Sequence, residues 1–374
     1  MECECAGCSA RAHVNGTVMS VVTNADTLHL VVTHANCYDG AACSVVLQLF
    51  CEYLGLPYKT VPHVLWGRTY AEELGKYISQ PERPVRLLLF DVSPDDELVN
   101  TVLQQPHLSM VVGDHHEGNR GAITRMLQRA AVTEGASSRL MVIFDTAVAG
   151  VQLAWRWAAA QLSLTADIPG SLEMCKMLGV PADATEGMCN RVLNVIALAD
   201  LNVHWALREH VHADAAIRML WGHGVEKIRS LICARGAYAS LQQPGELCAR
   251  IRGMQARDLL ARGRTYFLIP TVVEMLNKAG AGLTVPCTVF YVQGTPHLTA
   301  EMAEQHISAD MVWIWSKNER AHKKKYVVSV RRGKPSSIRC DVVTSTLCGG
   351  GNGHDGASGM AFEREPIDIF ATAP

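Results

Sequence analysis

Along the first half of the chain, short and nearly continuous apolar runs alternate with stretches whose apolar residues return at helical spacing. The runs TLHLVVTH (27–34), VRLLLFD (85–91), LSMVVGD (108–114) and LMVIFD (140–145) each stop at an ionisable residue. Continuous apolarity over that length predicts strands buried on both faces of a parallel sheet, and the intervening helical pattern predicts an α/β domain with helices on both faces. Segment 41–54 carries Val45, Val46, Leu49, Phe50 and Tyr53 at helical spacing, and 147–162 and 187–201 read as further helices, the last with Asp200 near its end. After about residue 205 the pattern is helical and broken by Gly222, Gly224, Pro244 and Gly245. The strands CTVFYV, MVWIWS and KYVVSVRR follow, the last two predicted to be antiparallel. These boundaries predict a first domain over 20–205, a helical linker region over 206–280 and a smaller α/β domain over 281–374.

Composition supports a folded chain of two domains: 374 residues, 48% hydrophobic and 19% charged. The absence of a long apolar run or a secretory pattern predicts an intracellular, cytoplasmic location without a membrane span. The 13 cysteines, several in apolar runs, read as reduced thiols, and Cys3, Cys5 and Cys8 as a terminal tail rather than a complete metal site. Net charge is only −2, yet 317–339 holds nine basic residues against one acid, a local charge of +8 that predicts an anionic ligand near the C-terminal strands.

The strand ends carry the candidate chemistry. Ligands of open parallel sheets bind at the carboxyl ends of the strands, and four strands delivering His or Asp there predict one shared site. Asp114, His115 and His116 offer a carboxylate and two imidazoles in succession, suited to a borderline divalent ion with a proton donor beside it. His34 and Asp39 bracket a strand-to-helix turn at Gly40, where backbone can approach closely and a helix N-terminus favours anions. Asp91 ends its strand, although Ser93 or Asp95 there also reads as a helix cap, and Asp200 alone also reads as a solvated helix residue. Tyr38 reads as turn filling, Cys43 and Ser44 as structural. His204, His210, His212 and His223 read as a solvated helix face.

In that order, His with Asp-Gly, an isolated Asp, Asp-His-His and a later Asp, the segment 27–205 resembles the DHH phosphoesterase family, in its oligoribonuclease-like and RecJ-like branches. The C-terminal VVSVRRGK and CDVVTSTLCGGGNGHDGASGMAF are similar to the DHHA1 domain, with its glycine-rich GGGH-type loop. The resemblance implies hydrolysis of phosphate esters of short oligonucleotides, dinucleotides or nucleoside bisphosphates, with two divalent ions, Mn²⁺ first, as cofactor. It implies that Asp91 bridges the ions, that His34 helps hold one and Asp39, His115 and Asp200 the other. Asp114 would support the centre and His116 would face the scissile phosphate. Arg331, His354 and the loop glycines Gly350, Gly351 and Gly353 would bind substrate, and small substrates would be favoured. The family usually has a second aspartate where this chain has Cys37; the thiol is a softer ligand, which opens the first metal site and the preferred metal to revision. Two alternatives stay open: a pyrophosphate or polyphosphate hydrolase, which the glycine loop disfavours, and a non-catalytic nucleotide- or RNA-binding protein.

Overall fold

A computed structural model describes residues 26–35, 37–63, 69–136, 138–162, 172–181, 190–201, 207–220, 224–294, 308–317, 326–333, 336–348, 352–354 and 356–372. The predicted tail thiols Cys3, Cys5 and Cys8, and His204 and His223, lie outside this set. Contacts divide the chain into a first unit, Met1–His115 with Ala122–Gln242, and a second, His116–Gly121 with Gln243–Pro374. Residues 206–280, expected as a separate linker, are shared between the two.

In the first unit the strands and helices run β1 (Leu28–His34), α1 (Tyr38–Tyr53), β2 (Tyr58–His63), α2 (Tyr70–Ile78), β3 (Val85–Phe90), α3 (Asp96–Gln104), β4 (Leu108–Asp114), α4 (Arg120–Val132, its first two residues clustering with the second unit), β5 (Leu140–Phe144), α5 (Gly150–Gln161), α6 (Leu172–Met177), α7 (Arg191–Asp200), α8 (Arg208–Leu220), α9 (Gly224–Cys233) and α10 (Ala237–Ser240). The five strands are parallel, in the order β2-β1-β3-β4-β5. Each expected strand is present, and β2 (YKTVPH) is an addition. Its lysine, histidine and Pro62 hide it from an apolarity scan, and such residues suit an edge strand with one partner. β5, expected to be buried on both faces, is the opposite edge and is half-buried along its middle.

Alternate residues of the inner strands face two cores. Val31, Leu88, Phe90 and Val111 pack with α1, α5 and α7, while Leu30, Val32, Leu87, Leu89 and Val112 pack with α2, α3 and α4. Helix α1 is apolar on nearly every side and buried from Asp39 to Cys51, with Cys43 and Cys51 as buried thiols. Such a helix holds its N-terminus still, because packing surrounds it. Helices α8 to α10 add Ala213, Ile217 and Tyr238 to the same core. His210, expected on a solvated face, is buried and meets the Tyr238 ring edge-on at 6.1 Å between centroids. Its imidazole has the apolar area to fill a helix interface.

In the second unit α11 (Gln242–Arg262, beginning one residue before the boundary), β6 (Arg264–Leu268), α12 (Pro270–Lys278), β7 (Thr288–Gln293), β8 (Met311–Lys317), β9 (Tyr326–Arg332), α13 (Cys340–Cys348), β10 (Asn352–His354), β11 (Ala357–Phe362) and β12 (Phe370–Thr372) form a mixed seven-stranded sheet with its helices, strand order β10-β11-β9-β8-β7-β6-β12. β8 and β9 are antiparallel, as their sequences predict. Among the described residues no helix is long and apolar enough to cross a membrane.

Leu88 is fully buried in the middle of β3. Leu88→Ala is expected to cost about 3 kcal/mol, the transfer and cavity terms together. Urea denaturation followed by circular dichroism checks it; a change below about 0.5 kcal/mol would mean that the site collapses to fill the void.

Candidate metal centre

Because β2 lies on one side of β1 and β3 on the other, the chain reverses its winding between β1 and β3, and ligands of such sheets gather at this switch point. His34 ends β1 and Asp91 follows β3. Asp91 has φ +62°, a left-handed conformation that costs a non-glycine residue about 1 kcal/mol. Its N–H donates to the Gly113 carbonyl at 2.9 Å, so the backbone turns while still tied to β4.

The two oxygens of Asp91 face different partners. Oδ2 lies 3.8 Å from His34 Nδ1, and Oδ1 lies 3.0 Å from His115 Nε2. The same His115 nitrogen is 3.5 Å from Asp200 Oδ2 and 4.0 Å from Asp39 Oδ2. Within the first unit two groups offer ligand atoms all within 4.8 Å of one another: His34, Cys37 and Asp91, and Asp39, His115 and Asp200. Asp39, Asp91 and His115 are buried, and His34, Cys37 and Asp200 are half-buried.

Two glycines let helix starts press against these carboxylates. A Cβ at Gly40 would lie 2.4 Å from the His34 carbonyl oxygen and 3.0 Å from Asp91 Oδ2; one at Gly150 would lie 2.7 Å from Asp39 Oδ2 and 2.8 Å from Asp91 Cβ. Val151 N–H, in the first turn of α5, donates to Asp39 Oδ1 and Oδ2 at 3.1 and 3.3 Å. The positive end of that helix partly offsets the carboxylate charge. Burial dominates nonetheless: with the Asp200 and Asp91 charges, it pushes the Asp39 carboxyl well above the usual carboxylate range. Burial and the charges of Asp91, Asp200 and Asp39 likewise hold the Cys37 thiol well above its ordinary value. This donor set of three carboxylates, two imidazoles and a thiol fits divalent ions, which would reverse both shifts by supplying the missing positive charge.

Asp114 is spoken for by its surroundings. Oδ1 accepts from His115 N–H at 2.7 Å, and Oδ2 accepts from the Ser93 hydroxyl. The cap of α3 is Asp95, which accepts from Leu98 N–H at 2.8 Å, so Ser93 is not that cap. His116 is buried and opens the short segment that clusters with the second unit. Asp145, expected to join the shared site, is 43% exposed and accepts from Ala147 N–H at 3.0 Å, which makes it a support for the turn into α5. Tyr38, read as turn filling, is held by polar partners: its hydroxyl donates to Asp214 Oδ1 at 3.2 Å and accepts from Arg218 Nη2 at 2.7 Å. Distant in sequence, Gly150, Asp214 and Arg218 gave no local signal of this proximity.

In the second unit strand register puts His354 opposite Ala357 and Ala357 opposite Arg331, one row across β10, β11 and β9. Gly353 lies opposite Ser358, so close that a Cβ would come within 2.4 Å of Ser358 Cα. Gly350 and Gly351 lie outside the described residues.

No family model matches the sequence, and no curated protein matches it. Solved structures do. RecJ bound to Mn²⁺ from Thermus thermophilus is 14% identical at a TM-score of 0.45, with 90% of this chain and 49% of that one covered. An exopolyphosphatase-related protein from Bacteroides fragilis is 12% identical at 0.45, with 92% and 89% covered. A pGpG-specific phosphodiesterase, PggH, from Vibrio cholerae is 10% identical at 0.33, with 91% and 94% covered. The chain thus spans about half the length of the Thermus RecJ chain. Likenesses this distant carry no argument about chemistry, which rests on the residues themselves.

The raised Asp39 value has a consequence for stability. The folded metal-free chain keeps this proton to higher pH than the unfolded chain, so the associated stability is fully present below the usual carboxylate range. It is lost as pH rises through the raised folded value. A bound divalent ion offsets the same charge, so the rise in Tm on adding Mn²⁺ is expected to grow as pH rises above the usual carboxylate range. Thermal scans at a series of pH values check it, and the growth is expected to be smaller in Asp39→Asn than in the native chain; equal growth in both would remove Asp39 from the ion's coordination.

Proposed function

We propose that the chain is a metal-dependent phosphoesterase that hydrolyses phosphate esters of short oligonucleotides, dinucleotides or nucleoside bisphosphates, with two divalent ions, Mn²⁺ foremost, as cofactor. The observation that carries this reading is the convergence of Asp39, Asp91 and Asp200 on His115, with His34 and Cys37 on the other side of Asp91. Three carboxylates this close repel one another unless protons or cations neutralise them, and their nitrogen and oxygen donors suit Mn²⁺.

Two ions held there would supply Lewis-acid activation of the phosphate and a water nucleophilic at neutral pH. Asp91, with one oxygen toward each group, would set the spacing of the two half-sites. Asp39, fixed by the N-terminus of α5, and His115 and Asp200 would complete one half, with His34 and Cys37 completing the other. Asp114 would hold His115 in place through its backbone N–H, and His116 would stabilise the charge on the leaving oxygen or protonate it. In the second unit Arg331 and His354, in one strand row beside Gly353, would bind phosphate or base groups of the substrate, together with Gly350 and Gly351.

Incubation of the purified chain and Mn²⁺ with a linear dinucleotide, and separately with pyrophosphate, tests the reading. Mononucleotide release without comparable pyrophosphate turnover is expected. Faster turnover of pyrophosphate would reassign the substrate, and binding of the dinucleotide without hydrolysis under any divalent ion would make the chain a binding protein. Asp91→Ala is expected to leave less than about a hundredth of the activity, because loss of a metal centre raises the barrier by several kcal/mol. Retention of more than about a tenth would remove Asp91 from the spacing role.

Cys37→Asp replaces a soft ligand with a hard one, so metal preference is expected to move toward Mg²⁺ and Mn²⁺ and away from Zn²⁺ with activity retained. If Cys37→Ser leaves the metal profile and rate unchanged, Cys37 is packed beside the site and does not ligate.

A further inference from the structure

Tyr38 separates the ligands of the two groups: Cys37 precedes it and belongs to the His34 and Asp91 side, while Asp39 follows it and belongs to the His115 and Asp200 side. Any rotation of the first turn of α1 therefore changes both half-sites at once. Asp39 within that turn is held by the Val151 N–H and Gly40 by its close approach to His34. The N-cap is Cys37, whose side chain makes no capping hydrogen bond, where Ser, Thr, Asp or Asn would usually supply one.

Tyr38, between the two ligands, is tied separately to α8. Arg218 Nε donates to both oxygens of Asp214, at 2.9 and 2.7 Å, and Nη2 donates to the Tyr38 hydroxyl at 2.7 Å. The guanidinium carbon lies 5.0 Å from the centre of the Tyr38 ring, and the Tyr38 hydroxyl donates back to Asp214. Asp214 is only 4% exposed. A buried carboxylate paired with a planar, forked cation holds a third group in a defined direction. The anchor is rigid, since the neighbouring Ala213, Ala216 and Ile217 on α8 lie in the core of the first unit. Helix α8 also packs against α7, which ends at Asp200.

We infer that Arg218, held by Asp214, is a positioning residue that orients the first turn of α1 through Tyr38 and so, alongside the Asp91 carboxylate, sets how Cys37 and Asp39 are placed in the two metal-binding half-sites. This rests on the metal-centre reading above. Tyr38→Phe keeps the ring and the Arg218–Asp214 pair and removes only the polar link, which makes it the sharpest probe.

The experiment measures Mn²⁺ affinity by calorimetry and the electron paramagnetic resonance spectrum of the Mn²⁺-loaded chain, with the urea midpoint of the metal-free chain alongside. Wild type, Tyr38→Phe, Arg218→Gln and Arg218→Lys are compared. For Tyr38→Phe and Arg218→Gln, affinity is expected to fall about tenfold, as for other residues that orient metal ligands from outside the coordination shell. The exchange-coupled signal of two neighbouring Mn²⁺ ions should give way to that of isolated ions, while the urea midpoint of Tyr38→Phe stays near wild type. Arg218→Lys, which keeps the charge and one donor, should recover part of the affinity. Unchanged affinity and spectrum in Tyr38→Phe, or a loss of affinity that only tracks a fallen urea midpoint, overturns the inference and leaves the metal centre standing. Failure of the wild-type chain to bind Mn²⁺ at all overturns the metal centre and the inference with it.

Discussion

Three carboxylates and an imidazole meet inside the first unit within about the distance of a salt bridge, and most of the surrounding architecture serves to hold them there against their mutual repulsion. His115 Nε2 is 3.0 Å from Asp91, 3.5 Å from Asp200 and 4.0 Å from Asp39. Asp39 and Asp91 are both buried, where water screens little. A core this charged keeps its shape only if the backbone leaves the side chains no retreat. Adjacent parallel strands β1, β3 and β4 supply that rigidity, each tied to its neighbour by a full ladder ending at the carboxyl edge.

Local features that look unfavourable in isolation fit this constraint. The left-handed Asp91 turns its carboxylate between two groups while its N–H stays bonded to Gly113. Gly40 and Gly150 give up the helix-favouring methyl group of alanine at the first turns of α1 and α5, and the approach of backbone to carboxylate there leaves no room for one. The bond from Ser93 to Asp114 and the bond from His115 N–H to the same carboxylate fix the turn after β4 in like manner. Backbone strain and buried charge sit together at the mouth of the sheet, as they do where a site is organised before its ligand arrives.

The second unit rests on different physics. Its mixed sheet packs one face against α12 and α13 through Trp313, Val328, Val330 and Met360, and the other against α11 through Phe290, Val312 and Ile314. On β9 this alternation leaves Arg331 half-buried beside the β10–β11 hairpin, whose tight pairing at Gly353 excludes a side chain. The excess of positive charge along 317–339 thus includes at least one guanidinium set in a defined strand row.

The strand-end residues His34, Asp91, Asp114 and His115 were legible in the amino-acid order because each stands at the end of an apolar run that reads as a strand. The helix from residue 41 onward was legible from the spacing of Val45, Val46, Leu49, Phe50 and Tyr53, although α1 begins at Tyr38 and includes Asp39, which reads in the sequence as part of the preceding turn. Strand β2 was not legible, since an edge strand needs no apolar face of its own and tolerates Pro62. Asp145 stands outside the site because an apolar run shows that a strand ends, not that its end lies at the centre of the sheet. The burial of His210 leaves no trace in the sequence, because a lone histidine in a helix carries no sign of which side is packed. The start of α5 and the Asp214–Arg218 pair were beyond reach. Val151 stands 112 positions from Asp39, and Asp214 and Arg218 stand 176 and 180 positions from Tyr38; only strand order and helix packing bring such distant groups together. Sequence determined which side chains could do chemistry and on which kind of element each would stand. The tertiary structure decided which of them meet, because proximity between remote segments is set by how buried surfaces fit and leaves no periodic trace in the chain.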